Sequence, residues 1–326
     1  MPDRPASARR PYESLPATVR DWVDERLSST VVEARTQTGG FSAGVAARLR
    51  TADGGRAFVK AVGPEPNPDT PTLFRTEAAA LRVLAVPALA GLIAPLLDDY
   101  DDGTWVALLL ADVDGCPPAV PFRPDEIAAV SSGLDRLAAA LDHVQVDTPL
   151  PHIGDKPDFW RRWEAAASEP DRLDPWTRAH QGTLLELTDH ARTAMTGDAL
   201  LHYDIRSDNV LLTGPPGHQQ AVFVDWAWLR RGARWCDAAL FAYELASDDP
   251  AGRGPALAEE FVSGSATLRD VPARDLSALI ATIAGVMVAG SFQPPPPGLP
   301  TMRTFQARMG NGGLAWLRHR SSAGAW

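Results

Sequence analysis

The sequence predicts an α+β protein of two lobes, an antiparallel sheet with one helix followed by a mostly helical part. Three observations carry this expectation. The chain has 326 residues, more than one small core organises well. Up to Ala111 it alternates short β-branched runs with glycine turns, and beyond Ala111 its apolar residues recur at helical spacing. The expected division is 1–111 for the sheet lobe, with a short N-terminal helical extension, and 112–326 for the helical lobe.

Taken in order, Thr18 to Leu27 has the spacing of a short amphipathic helix, and Val31 to Thr36 has the content of a strand. Thr38-Gly39-Gly40-Phe41-Ser42-Ala43-Gly44 turns into a second strand, Val45 to Arg50, and Asp53-Gly54-Gly55 turns into a third, Arg56 to Val62. Proline content makes Pro64 to Pro71 a loop. Thr72 to Leu84 then repeats Leu73, Ala80, Leu81 and Leu84 at helical spacing and carries Glu77. Ile93 to Asp98 and Trp105 to Leu110 complete a five-stranded sheet. After a connector punctuated by Pro117, Pro118, Pro121 and Pro124, Asp125 to Val144 sets Ile127, Val130, Leu134, Leu137 and Leu141 on one helical face. Further helices are expected over Phe159 to Ala167, Trp176 to Met195, Asp237 to Ala246, Leu257 to Val262, Ala273 to Ala289 and Met302 to His319. Pro294 to Pro297 reads as a stiff connection.

Composition bounds the function. Hydrophobic residues make up 45% and charged residues 22%, as in a globular chain. The net charge of −10 argues against nucleic acid as a partner and suits a cationic small molecule. Cys116 and Cys236 are too few and too distant in sequence for a disulfide framework or a metal site. The Pro- and Arg-rich start has no apolar core of a secretory signal, and the apolar stretch from Ala278 to Ala289 reads as a buried helix too short to span a bilayer. A cytoplasmic protein with no membrane and no obligate protein partner is expected.

The chemistry is concentrated in Leu200-Leu201-His202-Tyr203-Asp204-Ile205-Arg206-Ser207-Asp208-Asn209-Val210, an H-x-D-x-x-x-x-N pattern between apolar flanks. Phosphoryl transfer needs a carboxylate to orient the attacking hydroxyl and an amide oxygen a few residues on to hold a metal ion beside the phosphates. Asp204 and Asn209 suit these tasks. Further on, Ala221-Val222-Phe223-Val224-Asp225 delivers a carboxylate at the end of an apolar strand, entered through the turn Gly214 to Gly217. An acid there is suited to binding Mg²⁺. His202 is read as a residue that holds the loop in shape. Asp158, Glu164, Glu244, Asp248 and Asp249 are weighed for an acceptor pocket and read as solvated helix charges, and Trp160 and Trp163 as packing residues.

His202, Asp204, Asn209 and Asp225, so spaced, resemble the catalytic half of the aminoglycoside phosphotransferase family, small-molecule kinases with a bilobal protein-kinase-like fold. The resemblance runs from about Val31 to the C-terminus, although beyond Ala246 it is one of helical character alone. It implies ATP as phosphate donor, with GTP an alternative, and Mg²⁺ as cofactor. It implies that Lys60 neutralises the phosphates and pairs with Glu77, and that Ser42 with its glycine loop covers them. By the same resemblance the backbones of Ala111 and Val113 contact the adenine, and Asp237 at a helix start braces the catalytic loop. The implied acceptor is an aminoglycoside antibiotic, in a resistance role, or another hydroxylated small molecule. A metabolic kinase for choline, a sugar or an amino alcohol, and a silent nucleotide-binding module, are the alternatives. Trp226-Ala227 after Asp225 and the Gly39 to Gly44 loop depart from protein kinases, and no activation loop separates Asp225 from Asp237. Tyr203 and Arg206 also depart from many family members.

Overall fold

A computed structural model describes residues 9–40, 44–65, 67–155, 157–248 and 252–326. Helix α1 (Ala17–Leu27) precedes strands β1 (Val31–Thr36), β2 (Val45–Thr51) and β3 (Arg56–Val62), then helix α2 (Thr70–Val83) and strands β4 (Leu96–Asp101) and β5 (Val106–Ala111). These five strands form one antiparallel sheet in the order β1-β2-β3-β5-β4. Strand periodicity assigns its two faces. Ala57, Val59 and Ala61 of β3, with Ala107 and Leu109 of β5, pack against Val19, Trp22 and Val23 of α1. Val62, Leu108 and Leu110 point the other way and join the main core with Phe74, Ala78 and Leu81 of α2. Lys60 shares the parity of Val62, so its side chain enters the space between sheet and helical lobe.

Strand β6 (Gly115–Cys116) leads into the second lobe. Helices α3 (Pro124–Leu141), α4 (Arg162–Ala167), α5 (Pro175–Ala179) and α6 (Gln181–Ala194) follow, then strands β7 (Ala199–Leu201), β8 (Val210–Thr213), β9 (Gln220–Phe223) and β10 (Arg230–Gly232). Helices α7 (Cys236–Ser247), α8 (Gly254–Gly264), α9 (Ala273–Ser291) and α10 (Met302–Ser322) end the chain. The small strands pair as β6-β8-β9 and β7-β10, and the hairpin β8-β9 rests on α3. This is the bilobal, kinase-like α+β fold that the sequence predicts.

Several boundaries differ from the expectation for identifiable reasons. The fourth strand begins at Leu96 and not at Ile93, because Pro95 has no N–H to give a ladder. Ile93 instead bridges to Phe223, whose N–H donates to Leu92 O at 2.7 Å. The strand then continues through the acids to Asp101, whose partners are basic: Arg26 meets Asp98, Arg82 meets Asp99, and Arg75 meets Asp101 at 2.7 Å. Helix α2 starts two residues early, since Pro71 in its first turn needs no N–H donor. The helix expected over Trp176 to Met195 is two, separated at His180, whose ring donates to Trp176 O at 2.8 Å. Phe159 to Ala167 opens as a 3-10 turn over Pro157–Arg161 before α4. Helix α9 has 19 residues and is long and apolar enough to cross a membrane, yet 67% of its most apolar window is buried and it packs between α6 and α10.

Candidate active site

The two lobes enclose a cleft of about 540 Å³. Part of its wall is apolar, built by Ala46, Phe58, Ala94, Leu110, Leu211 and Val224, and the hinge residues Ala111 and Val113 lie beside it. Arg48 fixes that hinge by donating to Val113 O at 3.0 Å and Gly115 O at 2.8 Å. Elsewhere the wall carries charged and polar groups, among them Lys60, Glu77, Asp208, Asn209 and Asp225. Ser42 lies outside the described residues.

Lys60 is 7% exposed and donates to Glu77 Oε2 at 2.5 Å, and its Nζ lies 3.1 Å from Asp225 Oδ1. Burial works against the ammonium, but the carboxylates of Asp225 and Glu77 outweigh it and hold the Lys60 pKa above its ordinary value. Burial pushes the Glu77 carboxyl up to about 7, with the charge of Asp225 adding to the effect and Lys60 opposing it. Asp225 is held below the usual carboxylate range, because Lys60 overcomes the cost of its burial.

The loop between β7 and β8 and the segment after β9 each hold one residue in a conformation that it would not adopt freely. Tyr203 has φ +64° and Asp225 has φ +68°, both in the left-handed region that side chains other than glycine disfavour. Asp237 in the first turn of α7 secures the first of these by accepting the N–H groups of His202 and Tyr203, each at 2.8 Å. One turn of the loop further on, Glu244 accepts the Ser207 N–H at 2.6 Å and its hydroxyl at 2.7 Å. Two helical turns separate Asp237 from Glu244, so both carboxyls lie on one face of α7 and grip the loop at two points.

His202 is fully buried and burial pushes its pKa down to about 4, so the ring is neutral. Its bonds then fix the tautomer. Val224 O accepts, so Nε2 carries the proton across 2.9 Å; the Asp204 N–H donates, so Nδ1 accepts at 3.3 Å. One imidazole therefore ties the backbone of Asp204 to the backbone next to Asp225.

Asp204 accepts from Arg206 Nη1 at 2.9 Å and from Asn209 Nδ2 at 3.0 Å. Its carboxyl is pushed up to about 7 by burial, against the pull of Arg206. Arg206 also donates to Asp208 at 3.0 and 3.2 Å, so it spans both carboxylates. The Asn209 amide nitrogen is committed to Asp204 O at 2.8 Å as well, which turns its oxygen away from Asp204. That oxygen and the Asp225 carboxylate are hard donors that suit Mg²⁺, with the remaining positions left for phosphate and water. Among the described residues no cluster of three or more His, Cys, Asp or Glu side chains could hold a metal by itself.

Two expectations are corrected. Glu244 is 4% exposed and grips Ser207, and Asp248 is buried beside Arg308, so neither is a solvated helix charge. Asp249 lies outside the described residues. Trp163 and Trp160 are buried in the helical lobe, their indoles donating to Ala281 O and Gly154 O at 2.8 Å. The grip of Glu244 had a signal in the sequence, an acid seven residues after Asp237 in an otherwise apolar helix.

Among solved structures, a thermostable mutant of aminoglycoside phosphotransferase APH(4)-Ia in ternary complex with ADP and hygromycin B superposes with a TM-score of 0.59 at 15% identity, covering 92% of this chain and 99% of that one. The AMP-bound complex of spectinomycin phosphotransferase APH(9)-Ia gives 0.56 at 11% identity, with 90% and 93% covered. An aminoglycoside phosphotransferase from Alicyclobacillus acidocaldarius gives 0.53 at 18%, again with 90% and 93% covered. At these identities the likeness is one of fold. No curated protein matches the chain in sequence. The sequence model of the phosphotransferase enzyme family matches residues 38–275, a span that contains Lys60, Glu77, Asp204, Asn209, Asp225 and Asp237. The chain therefore belongs to the phosphotransferase enzyme family.

Proposed function

We propose that the protein moves the γ-phosphate of ATP to a hydroxyl of a small molecule of the aminoglycoside type, and that it does so in the cytoplasm. The observation that carries this reading is that Lys60, Asn209 and Asp225 line one cleft, with Lys60 against Asp225, while Asp204 is bonded to the Asn209 amide and tied through His202 to the backbone of Val224 beside Asp225. The apolar wall and the hinge backbone of Ala111 and Val113 suit an adenine. Lys60, kept cationic by Asp225 and Glu77, suits the phosphates.

In this reading the 1–111 lobe holds the nucleotide and the 112–326 lobe supplies the catalytic loop and the acceptor site. Asn209 and Asp225 would hold Mg²⁺, which when bound supplies positive charge to the transferring phosphoryl group. Asp204 aligns the acceptor hydroxyl and takes its proton as the new O–P bond forms and ADP departs. Arg206 keeps the Asp204 carboxylate oriented. Positioning and charge neutralisation provide most of the acceleration. The hygromycin B and spectinomycin named with the two similar structures support an aminocyclitol-containing acceptor, and the acidic balance of the chain supports a cationic one. A panel of aminoglycosides and other polyols, incubated with the protein, ATP and Mg²⁺ and read by mass for one added phosphate, tests the proposal. Phosphorylation of an aminoglycoside is expected; turnover confined to choline or simple sugars would replace the acceptor class, and no turnover with any acceptor would sink the reading.

A further inference from the structure

Arg9 precedes the region matched by the family model, yet its side chain lines the nucleotide cleft. The segment is anchored on both sides. Downstream, Tyr12 and Leu15 are buried with Val19 and Trp22 against the outer face of the sheet. Beside the cleft, the Arg10 N–H donates to Gly44 O at 3.3 Å, at the exit of the glycine loop. Arg9 itself donates to Gly39 O from Nη2 at 2.8 Å and from Nε at 3.3 Å. The close approach depends on glycine at position 40, where φ is +86° and a Cβ would lie 2.8 Å from Arg9 Nη2.

Two of the three guanidinium nitrogens are thus spent on holding the side chain in place, and the third is not. Nη1 is buried and has no hydrogen-bond partner among the described residues. A buried, unpaired cationic N–H is costly and calls for an acceptor. Burial lowers the pKa of Arg9, while the charges of Asp225, Asp208 and Glu77 act in the opposite sense, which places the guanidinium within the field of both carboxylates that pair with Lys60. A pre-oriented guanidinium with an open donor, beside a metal-binding carboxylate, matches the chemistry of a phosphate oxygen.

We propose that Arg9 is a nucleotide-binding residue, which enters the cleft beside Gly39 from the N-terminal extension and donates through Nη1 to the phosphate chain. The inference rests on the ATP-dependent reading above and adds to it a second cation, supplied by the segment ahead of the sheet. The test is calorimetric titration of the full-length protein with ATP plus Mg²⁺ and, separately, with adenosine, comparing wild type with Arg9→Ala and Arg9→Lys. Arg9→Ala is expected to weaken ATP binding about 10- to 100-fold and to leave adenosine binding unchanged. Arg9→Lys keeps the charge without the fork and is expected to fall between the two. An ATP dissociation constant that Arg9→Ala leaves unchanged, or tightens, overturns the proposal, the second because the side chain would then be a plug. Equal loss of adenosine and ATP binding in both variants overturns it too, since Arg9 would then shape the pocket and not hold phosphate. Failure of the wild type to bind ATP at all would instead strike the function proposed above.

Discussion

Replacing Glu244 by Gln isolates the cost of a buried carboxylate beneath the catalytic loop. Burial pushes the Glu244 pKa up to about 7 from its ordinary 4.5, with Asp208 adding to the effect and the Ser207 bonds and Arg206 opposing it. A carboxyl raised in the folded state contributes stability that is fully present below pH 4.5 and is lost as pH rises through 7. That interval corresponds to about 3 kcal/mol. Glutamine keeps the geometry: its oxygen accepts the Ser207 N–H and its amide donates to the Ser207 hydroxyl, which can reverse its role. The variant is therefore expected to match wild type at pH 5 to within about 1 kcal/mol and to exceed it at pH 8 by roughly 2–3 kcal/mol. Urea unfolding of the nucleotide-free protein at both pH values measures this. Some pH dependence should survive in the variant, because burial also raises Asp237, to about 6. A variant less stable than wild type at pH 8, or a pH slope identical to that of wild type, would show that the buried Glu244 carboxylate carries no such cost.

The other consequences follow from the same network. Lys60→Met leaves Glu77 and Asp225 without their shared cation, and phosphate transfer should fall by about 10²–10³ in kcat, read by ADP release at saturating ATP, with adenosine binding retained. Asp237→Ala strands the buried N–H groups of His202 and Tyr203 and removes what holds Tyr203 at positive φ; a loss of roughly 2–5 kcal/mol is expected in urea unfolding at pH 5. His202→Leu breaks the link between Asp204 and Val224 while keeping the site apolar. It should cost roughly 1–3 kcal/mol of stability, and an unchanged midpoint of unfolding would show that the imidazole bonds contribute nothing net.

Much of this arrangement is legible in the sequence because it depends on local spacing. Asp204 and Asn209 are five residues apart on one loop, and the apolar run ending at Asp225 can form only a strand that returns beside it. The position of Lys60 follows from strand parity once Ala57, Val59 and Ala61 are read as one face. What was hidden depends on partners remote in sequence. That β4 runs on through its acids to Asp101 shows only when Arg26, Arg75 and Arg82 are seen to flank them. Glu244 resembles a surface charge until Ser207 is found against it, 37 residues away. Arg9 lies in a polar tail whose direction is set by tertiary packing of Tyr12 and Leu15, a contact that no periodicity encodes.

In the proposed reaction Asp204 aligns and deprotonates the acceptor hydroxyl. Asp204→Asn preserves shape and the oxygen that accepts from Arg206, while removing the base. Acceptor-dependent ADP release by the purified variant, with ATP affinity measured alongside, tests this role. A fall in kcat of about 10²–10⁴ with ATP affinity unchanged is expected. A variant that transfers phosphate within a few-fold of the wild-type rate would contradict it.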